Sequence, residues 1–179
     1  MKTAQQYIDS LRQRKIKVYL KGQLLDPQTL VDHPFIRGHV ASAALTFELA
    51  HEPESEDLMT AISHLSGNRI NRFTHIHQSV EDLLKKVKML RMISQKTGTC
   101  YQRCVGFDAL NSLYTVTFEM DQALKTDYHQ RFKKFLAYVQ ENDLMVAGAM
   151  TDTKGDRSLK PSQQPDPDMY VHVVERNDK

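Results

Sequence analysis

Two thiols stand four residues apart in Gly98-Thr99-Cys100-Tyr101-Gln102-Arg103-Cys104-Val105-Gly106. On a helix, that spacing puts both on one face, where they could converge on one metal or cluster. Soft thiolates favour an iron–sulfur cluster, zinc or Cu(I). Arg103 between them would help hold thiolates deprotonated. The same spacing also suits two reduced, buried structural cysteines. Two cysteines cannot close a four-ligand site, so other donors are needed. The chain has 8 His, and Thr74-His75-Ile76-His77-Gln78 places two of them with alternating spacing. Cys100, Cys104, His75 and His77 could together hold zinc. Alternatively the two histidines pack or hydrogen-bond near a helix start.

A second stretch, Met150-Thr151-Asp152-Thr153-Lys154-Gly155-Asp156-Arg157-Ser158, is a polar, Gly-containing loop. Such a loop can present backbone N–H groups and cations to a diphosphate or a flavin ring. It matches neither a P-loop nor a dinucleotide-binding fingerprint, and a plain surface loop has the same composition. The carboxylates at Glu54, Glu56 and Asp57, and at Glu141 and Asp143, have the character of helix-end charges. No Ser-His-Asp order or activated-nucleophile pattern stands out.

Helices must position these residues. Thr3-Ala4-Gln5-Gln6 fits a capping box and opens a helix with Tyr7, Ile8 and Leu11 on one face, fading near Lys15. Lys17 to Leu20 alternates as a strand, Lys21-Gly22 turns, and Gln23-Leu24-Leu25 returns as a second strand. A loop bracketed by Asp26-Pro27 and His33-Pro34 leads to a helix that starts near Phe35, is buried on several sides over Val40 to Ala50, and stops at Glu52-Pro53. Ser55 opens a short helix carrying Met59, Ile62 and Leu65, which Gly67 ends. Ser79 caps an amphipathic helix with Val80, Leu83, Leu84, Val87 and Leu90 inward. Its run Lys85-Lys86-Val87-Lys88-Met89-Leu90-Arg91 makes a solvated face, and Thr97-Gly98-Thr99 breaks it. A further helix is predicted from about Asp108 to Leu124. Thr126-Asp127 caps a last one with Tyr128, Phe132, Phe135, Leu136 and Val139. Met169 to Glu175 then has the pattern of a strand.

The chain has 179 residues, 40% of them hydrophobic, enough for one globular core. Its net charge of +2 is interleaved, unlike the clustered basic face of a nucleic-acid binder. No apolar run approaches the length that spans a bilayer. The N-terminus lacks the apolar core of a signal peptide, and two cysteines do not make a disulfide framework. A cytoplasmic location is expected, with neither nucleic acid nor membrane as partner.

Longer strings carry a resemblance. They are Val31-Asp32-His33-Pro34, Asn71-Arg72-Phe73, Leu83 with Lys85 to Met89, and Gln95 to Cys100 continuing through Arg103-Cys104-Val105-Gly106. Val139 to Leu144, Gly148 to Asp152 and Lys154 to Arg157 follow in order. Together they resemble the 4-hydroxybutyryl-CoA dehydratase family along essentially the whole chain. The Thr-Asp…Asp-Arg loop also shows kinship with flavin-dependent 4-hydroxyphenylacetate hydroxylases, relatives that lack the cysteine pair.

The resemblance implies an acyl-CoA dehydrogenase-like fold of a helical N-terminal domain, a β middle domain and a helical C-terminal bundle. It implies a homotetramer holding FAD and a [4Fe–4S] cluster. Cys100 and Cys104 match two cluster ligands, and the remaining histidine and cysteine come from later in the family's chain. Met150, Thr151, Asp152, Thr153, Lys154, Gly155, Asp156 and Arg157 match a flavin-contacting segment. The family, of anaerobic fermentation, dehydrates 4-hydroxybutyryl-CoA to crotonyl-CoA and isomerises vinylacetyl-CoA. The expected fold is mainly α, with a short early β-hairpin. Residues 1–143 form the helical domain, and residues 144–179 hold a loop and the first strand of a truncated β domain. By itself the chain is expected to be inactive and to hold neither cofactor. A stand-alone helical module that binds a metal or partner, and a flavin-dependent aromatic hydroxylase relative, are the alternatives.

Overall fold

In a computed structural model, Thr3 starts the first helix, α1 (Ala4–Arg12), with a reciprocal pair of bonds. The Gln6 N–H donates to Thr3 Oγ1 (3.2 Å), and the Thr3 N–H donates to Gln6 Oε1 (2.9 Å), satisfying two otherwise orphaned donors. The structure describes residues 1–148, 156, 158–160 and 163–164. The chain divides into two units, Met1–Ala147 and Gly148–Lys179. The expected strand over Met169 to Glu175 lies outside the described residues.

The early hairpin forms as predicted: β1 (Tyr19–Leu20) pairs antiparallel with β2 (Gln23–Leu24). Lys21 (φ 50°) and Gly22 (φ 80°) both take left-handed backbone, the conformation of a two-residue turn whose twist matches its strands. Helix α2 (Arg37–Glu48) buries Ala43, Ala44, Thr46 and Phe47. Tyr7 of α1 stacks on Phe47 with ring centroids 4.6 Å apart.

The segment after Ser55 is not the single helix its apolar spacing predicts. Helix α3 (Glu56–Met59) lasts one turn, and β3 (Thr60–Ile62) then pairs antiparallel with β4 (Arg69–Asn71). Met59 is buried while Ile62 is exposed, so the two never share a face. Ser63 holds the turn. Its Oγ accepts from the Leu65 and Ser66 N–H groups and donates to Gln140 Oε1. Arg72 clamps the hairpin to α3 by donating to the carbonyls of Asp57, Leu58 and Thr60. This non-local pairing overrides the weak local helix signal.

Helix α4 (Val80–Thr97) starts where Ser79 Oγ accepts from the Asp82 N–H, and it stops at Gly98 in left-handed backbone. Its inward face differs from the expected one. Met89 and Ile93 are fully buried, whereas Val80, Leu83, Leu84 and Val87 are 72, 47, 50 and 63% exposed. Leu49, Met59 and Phe73 form the core that claims Met89 and Ile93. The Val80–Val87 stripe has no such layer among the described residues. Lys85 and Lys86 are not purely solvated either: they pair with Asp57 and Asp108, and Lys86 Nζ lies 5.4 Å above the Phe107 ring.

Helix α5 (Arg103–Leu124) begins five residues before the expected start. It packs against α6 (Tyr128–Glu141) through Leu110, Phe132 and Leu136, with Ile76 between. The α6 cap is Asp121, not Thr126 or Asp127. Its carboxylate accepts from the Tyr128 and His129 N–H groups and from Thr126 Oγ1. Tyr128 and Phe135 point outward, contrary to the predicted stripe.

Candidate functional site

The loop from Gly98 to Gln102 joins α4 to α5 and carries Cys100, which is exposed. Cys104 lies in the first turn of α5, half-buried against the core of Leu49, Met59, Phe73, Met89, Ile93, Tyr101 and Phe107. The pair therefore does not share one helical face, because α5 starts at Arg103 and Cys100 precedes it. The backbone instead alternates: Tyr101 in, Gln102 out, Arg103 in. Tyr101 packs on Phe73 at 5.9 Å between ring centroids. Burial raises the Tyr101 pKa, a bond with Ser94 opposes the shift, and Cys104 and Cys100 add to it. Gln102 takes φ 63°, which costs a non-glycine residue roughly 1 kcal/mol.

Arg103 does not serve the thiolates as a neighbouring cation. Its side chain is 1% exposed and runs into the core. The guanidinium lies 4.3 Å from the Phe47 ring centroid and 4.7 Å from that of Phe73, and it donates to Thr46 Oγ1 at 3.0 Å. Asp143 Oδ1 lies 3.8 Å away. Burial pulls the Arg103 pKa down to about 10, partly offset by Asp143. The first turn of α5 has no side-chain cap. Gly106 lets this end sit close: any Cβ there would collide with the Val146 carbonyl. The thiols this region offers to a soft metal are Cys100 in the loop and Cys104 in the first turn of α5.

The histidines lie elsewhere in the core. His75 is buried, with Nε2 3.3 Å from Asp82 Oδ1, a charge contact rather than an aligned hydrogen bond. His77 lies on the Phe107 ring at 4.9 Å, and the two imidazoles are 6.4 Å apart. Burial lowers the pKa of both. Burial opposes ionisation of Asp82, yet bonds from the Gln78 N–H and the Ser79 hydroxyl, with the nearby His75 imidazole, bring its pKa to about 2. Arg72 completes the group at 3.2 Å from Asp82. Among the described residues no group of three or more His, Cys, Asp or Glu side chains is placed to hold a metal ion. Cys100, Cys104, His75 and His77 therefore do not form the zinc site, and the histidines pack near a helix start. Sequence reasoning missed the Arg72–Asp82–His75 group. The Ser79–Asp82 capping pair was its one visible signal.

Of the predicted flavin loop, Met150, Thr151, Asp152, Thr153, Lys154, Gly155 and Arg157 lie outside the described residues. Asp156 is exposed. Its carboxylate accepts from the Ser158 hydroxyl (2.6 Å) and N–H (2.9 Å), and these bonds lower its pKa. Its N–H donates to Gln164 Oε1.

Comparison with known proteins adds a lineage to this geometry. The family model described as 4-hydroxyphenylacetate 3-hydroxylase N terminal matches residues 3–179. The chain is 52% identical over 176 residues to 4-hydroxybutyryl-CoA dehydratase/vinylacetyl-CoA-Delta-isomerase of Clostridium aminobutyricum, covering 98% of this chain and 36% of that protein. It is 26% identical to the 4-hydroxyphenylacetate 3-monooxygenase oxygenase component of Thermus thermophilus, covering 99% of this chain and 36% of the other. An oxygen-tolerant archaeal 4-hydroxybutyryl-CoA dehydratase from N. maritimus superimposes with a TM-score of 0.85 at 48% identity, over 99% of this chain and 35% of that one. A 4-hydroxyphenylacetate 3-monooxygenase oxygenase component complexed with FAD and 4-hydroxyphenylacetate matches at a TM-score of 0.71 and 22% identity, a likeness of fold alone. The chain thus spans about 36% of the length of the curated relatives it matches. Its fold is the helical N-terminal part of an acyl-CoA dehydrogenase-like architecture.

Proposed function

We propose a function from one premise: the chain belongs to the 4-hydroxyphenylacetate 3-hydroxylase N-terminal family. Within that family it is the N-terminal part of a dehydratase that converts 4-hydroxybutyryl-CoA to crotonyl-CoA and isomerises vinylacetyl-CoA. The observation that carries this reading is the pair of thiols at the start of α5, in a chain alike nearly end to end to two dehydratases. The monooxygenase reading has far lower identity behind it.

The whole protein is a cytoplasmic homotetramer that holds FAD and a [4Fe–4S] cluster. When bound, these groups supply one-electron redox chemistry and a Lewis-acidic iron for the departing hydroxyl. Cys100 and Cys104 would be two of the cluster's thiolate donors, and the chain's remaining share is to aim them. Residues 150–157 would contact the flavin, with Asp156 kept ionised by Ser158. The rest of the cluster shell and the catalytic base belong to the remaining length that the relatives have.

The test is a chimaera in which this chain replaces the matching third of the C. aminobutyricum enzyme, purified without oxygen. Crotonyl-CoA formation, bound flavin and stoichiometric iron are expected. Iron should be lost on Cys100→Ala or Cys104→Ala. Full iron in both variants would remove the ligand assignment, and hydroxylation of a phenol in place of dehydration would favour the monooxygenase reading.

A further inference from the structure

Arg103 is placed at a cost. Among the described residues its Nε and Nη2 have no hydrogen-bond partner, and neither does Asp143 Oδ1. A buried ion pair with unsatisfied donors generally adds less stability than an apolar side chain of the same size. The stacking of the guanidinium between Phe47 and Phe73 offsets part of that deficit. Its reach is unusual: this one side chain ties the start of α5 to α2 through Thr46 and to the end of α6 through Asp143. Asp143 also accepts from the Lys2 N–H at 2.8 Å. Arg103 is the residue directly before Cys104, and with Tyr101 it anchors the turn inward on both sides of exposed Gln102.

We propose that Arg103 is a positioning residue, which pins the first turn of α5 so that Cys100 and Cys104 face one soft metal centre together. It acts through the backbone on the two thiols, as an outer support that orients ligands without touching the metal. The inference rests on the half-site reading of the cysteines given above, and it assigns a task to a cation that stability alone does not explain.

Cadmium titration of the reduced 179-residue chain tests it, followed by the thiolate-to-metal charge-transfer absorption. The wild-type chain should bind one Cd²⁺ through both cysteines. Arg103→Met should weaken binding by about tenfold or more, and Arg103→Lys, which keeps the charge but not the planar stack, should fall between. Leu110→Ala, a core lesion on the same helix, should lower the melting temperature and leave Cd²⁺ affinity within about twofold of wild type. Wild-type affinity in a folded Arg103→Met chain would overturn the positioning role and leave the half-site standing. Equal weakening in Leu110→Ala would likewise reduce Arg103 to a structural part. If Arg103→Met does not fold, Thr46→Val and Asp143→Asn, each removing one guanidinium partner, carry the same test: weaker binding supports the role, unchanged binding overturns it. A wild-type band indifferent to both Cys100→Ala and Cys104→Ala would instead overturn the half-site itself.

Discussion

Gly106→Ala should be among the most damaging single-methyl additions to this chain. An ideal Cβ at residue 106 would fall well inside contact distance of the Val146 carbonyl carbon and oxygen, and 3.0 Å from the Val146 Cβ. The obstacle is backbone, not the end of a flexible side chain, so the segment after Asp143 or the first turn of α5 must move. Overpacking costs about 1–3 kcal/mol, and backbone contact puts this site near 3 kcal/mol. A helix-propensity gain of about 1 kcal/mol from replacing glycine works against it, leaving a net loss of about 2 kcal/mol. At about 2–4 °C per kcal/mol for a chain of this size, melting should fall by about 4–8 °C. Gly38→Ala is the internal control. Gly38 sits in the first turn of α2 with nothing within 4 Å of the added methyl, so the same change should raise stability by up to about 0.5 kcal/mol. Thermal melts followed by far-ultraviolet circular dichroism measure both. A Gly106→Ala chain melting within 1 °C of wild type, a shift of about zero on this scale, would refute the close approach of α5 to Val146.

Acid should destabilise the fold in two windows. His75 and His77 have lowered pKa values, so the unfolded chain binds the extra protons and stability falls as pH drops below about 6.5. His75→Gln should flatten that slope in denaturant titrations at pH 7 and pH 5, and an unchanged slope counts against it. Asp82, at about 2 in the fold, contributes stability above the ordinary carboxylate range, roughly 2 kcal/mol, which is lost as pH falls from about 4 to 2. Leu136→Ala, in a fully buried site, should cost about 3 kcal/mol. Val87→Gln, on the exposed stripe of α4, should cost under about 0.5 kcal/mol. Urea midpoints separate the two, and equal losses would mean that α4 is turned differently.

What was legible in the sequence was local. The Thr3 capping box, the Lys21-Gly22 turn, the Ser79 cap and the Gly98 stop each depend on a few neighbouring residues, and each stands where predicted. The hairpin of β3 and β4 was not legible, because its partners are joined by pairing and by Arg72 rather than by propensity. The apolar stripe of α4 was visible, but periodicity cannot say which apolar residues find a partner; Met89 and Ile93 do, and Val80 and Val87 do not. The start of α5 was hidden by Gly106, which argues against a helix locally and is present for a close approach. The cysteine pair was visible, and its meaning came from resemblance. The destination of Arg103 was not visible, since the flanking residues of a cation do not reveal the rings it will enter.

The tie between Lys2 and Asp143 spans 141 positions in the chain, and it has a consequence for the order of assembly. Helices α1 and α2, tens of residues apart at most, can stack through Tyr7 and Phe47 while the chain is still being made. Arg103 can reach Thr46 and Phe47 of α2 earlier, but the link from Lys2 through Asp143 to Arg103 cannot close until residue 143 is available. Until then the pocket between Phe47 and Phe73 has no anion opposite its guanidinium. Long-range closure of this kind slows folding, so a chain cut before residue 143 should be more protease-sensitive at its N-terminus than the full chain.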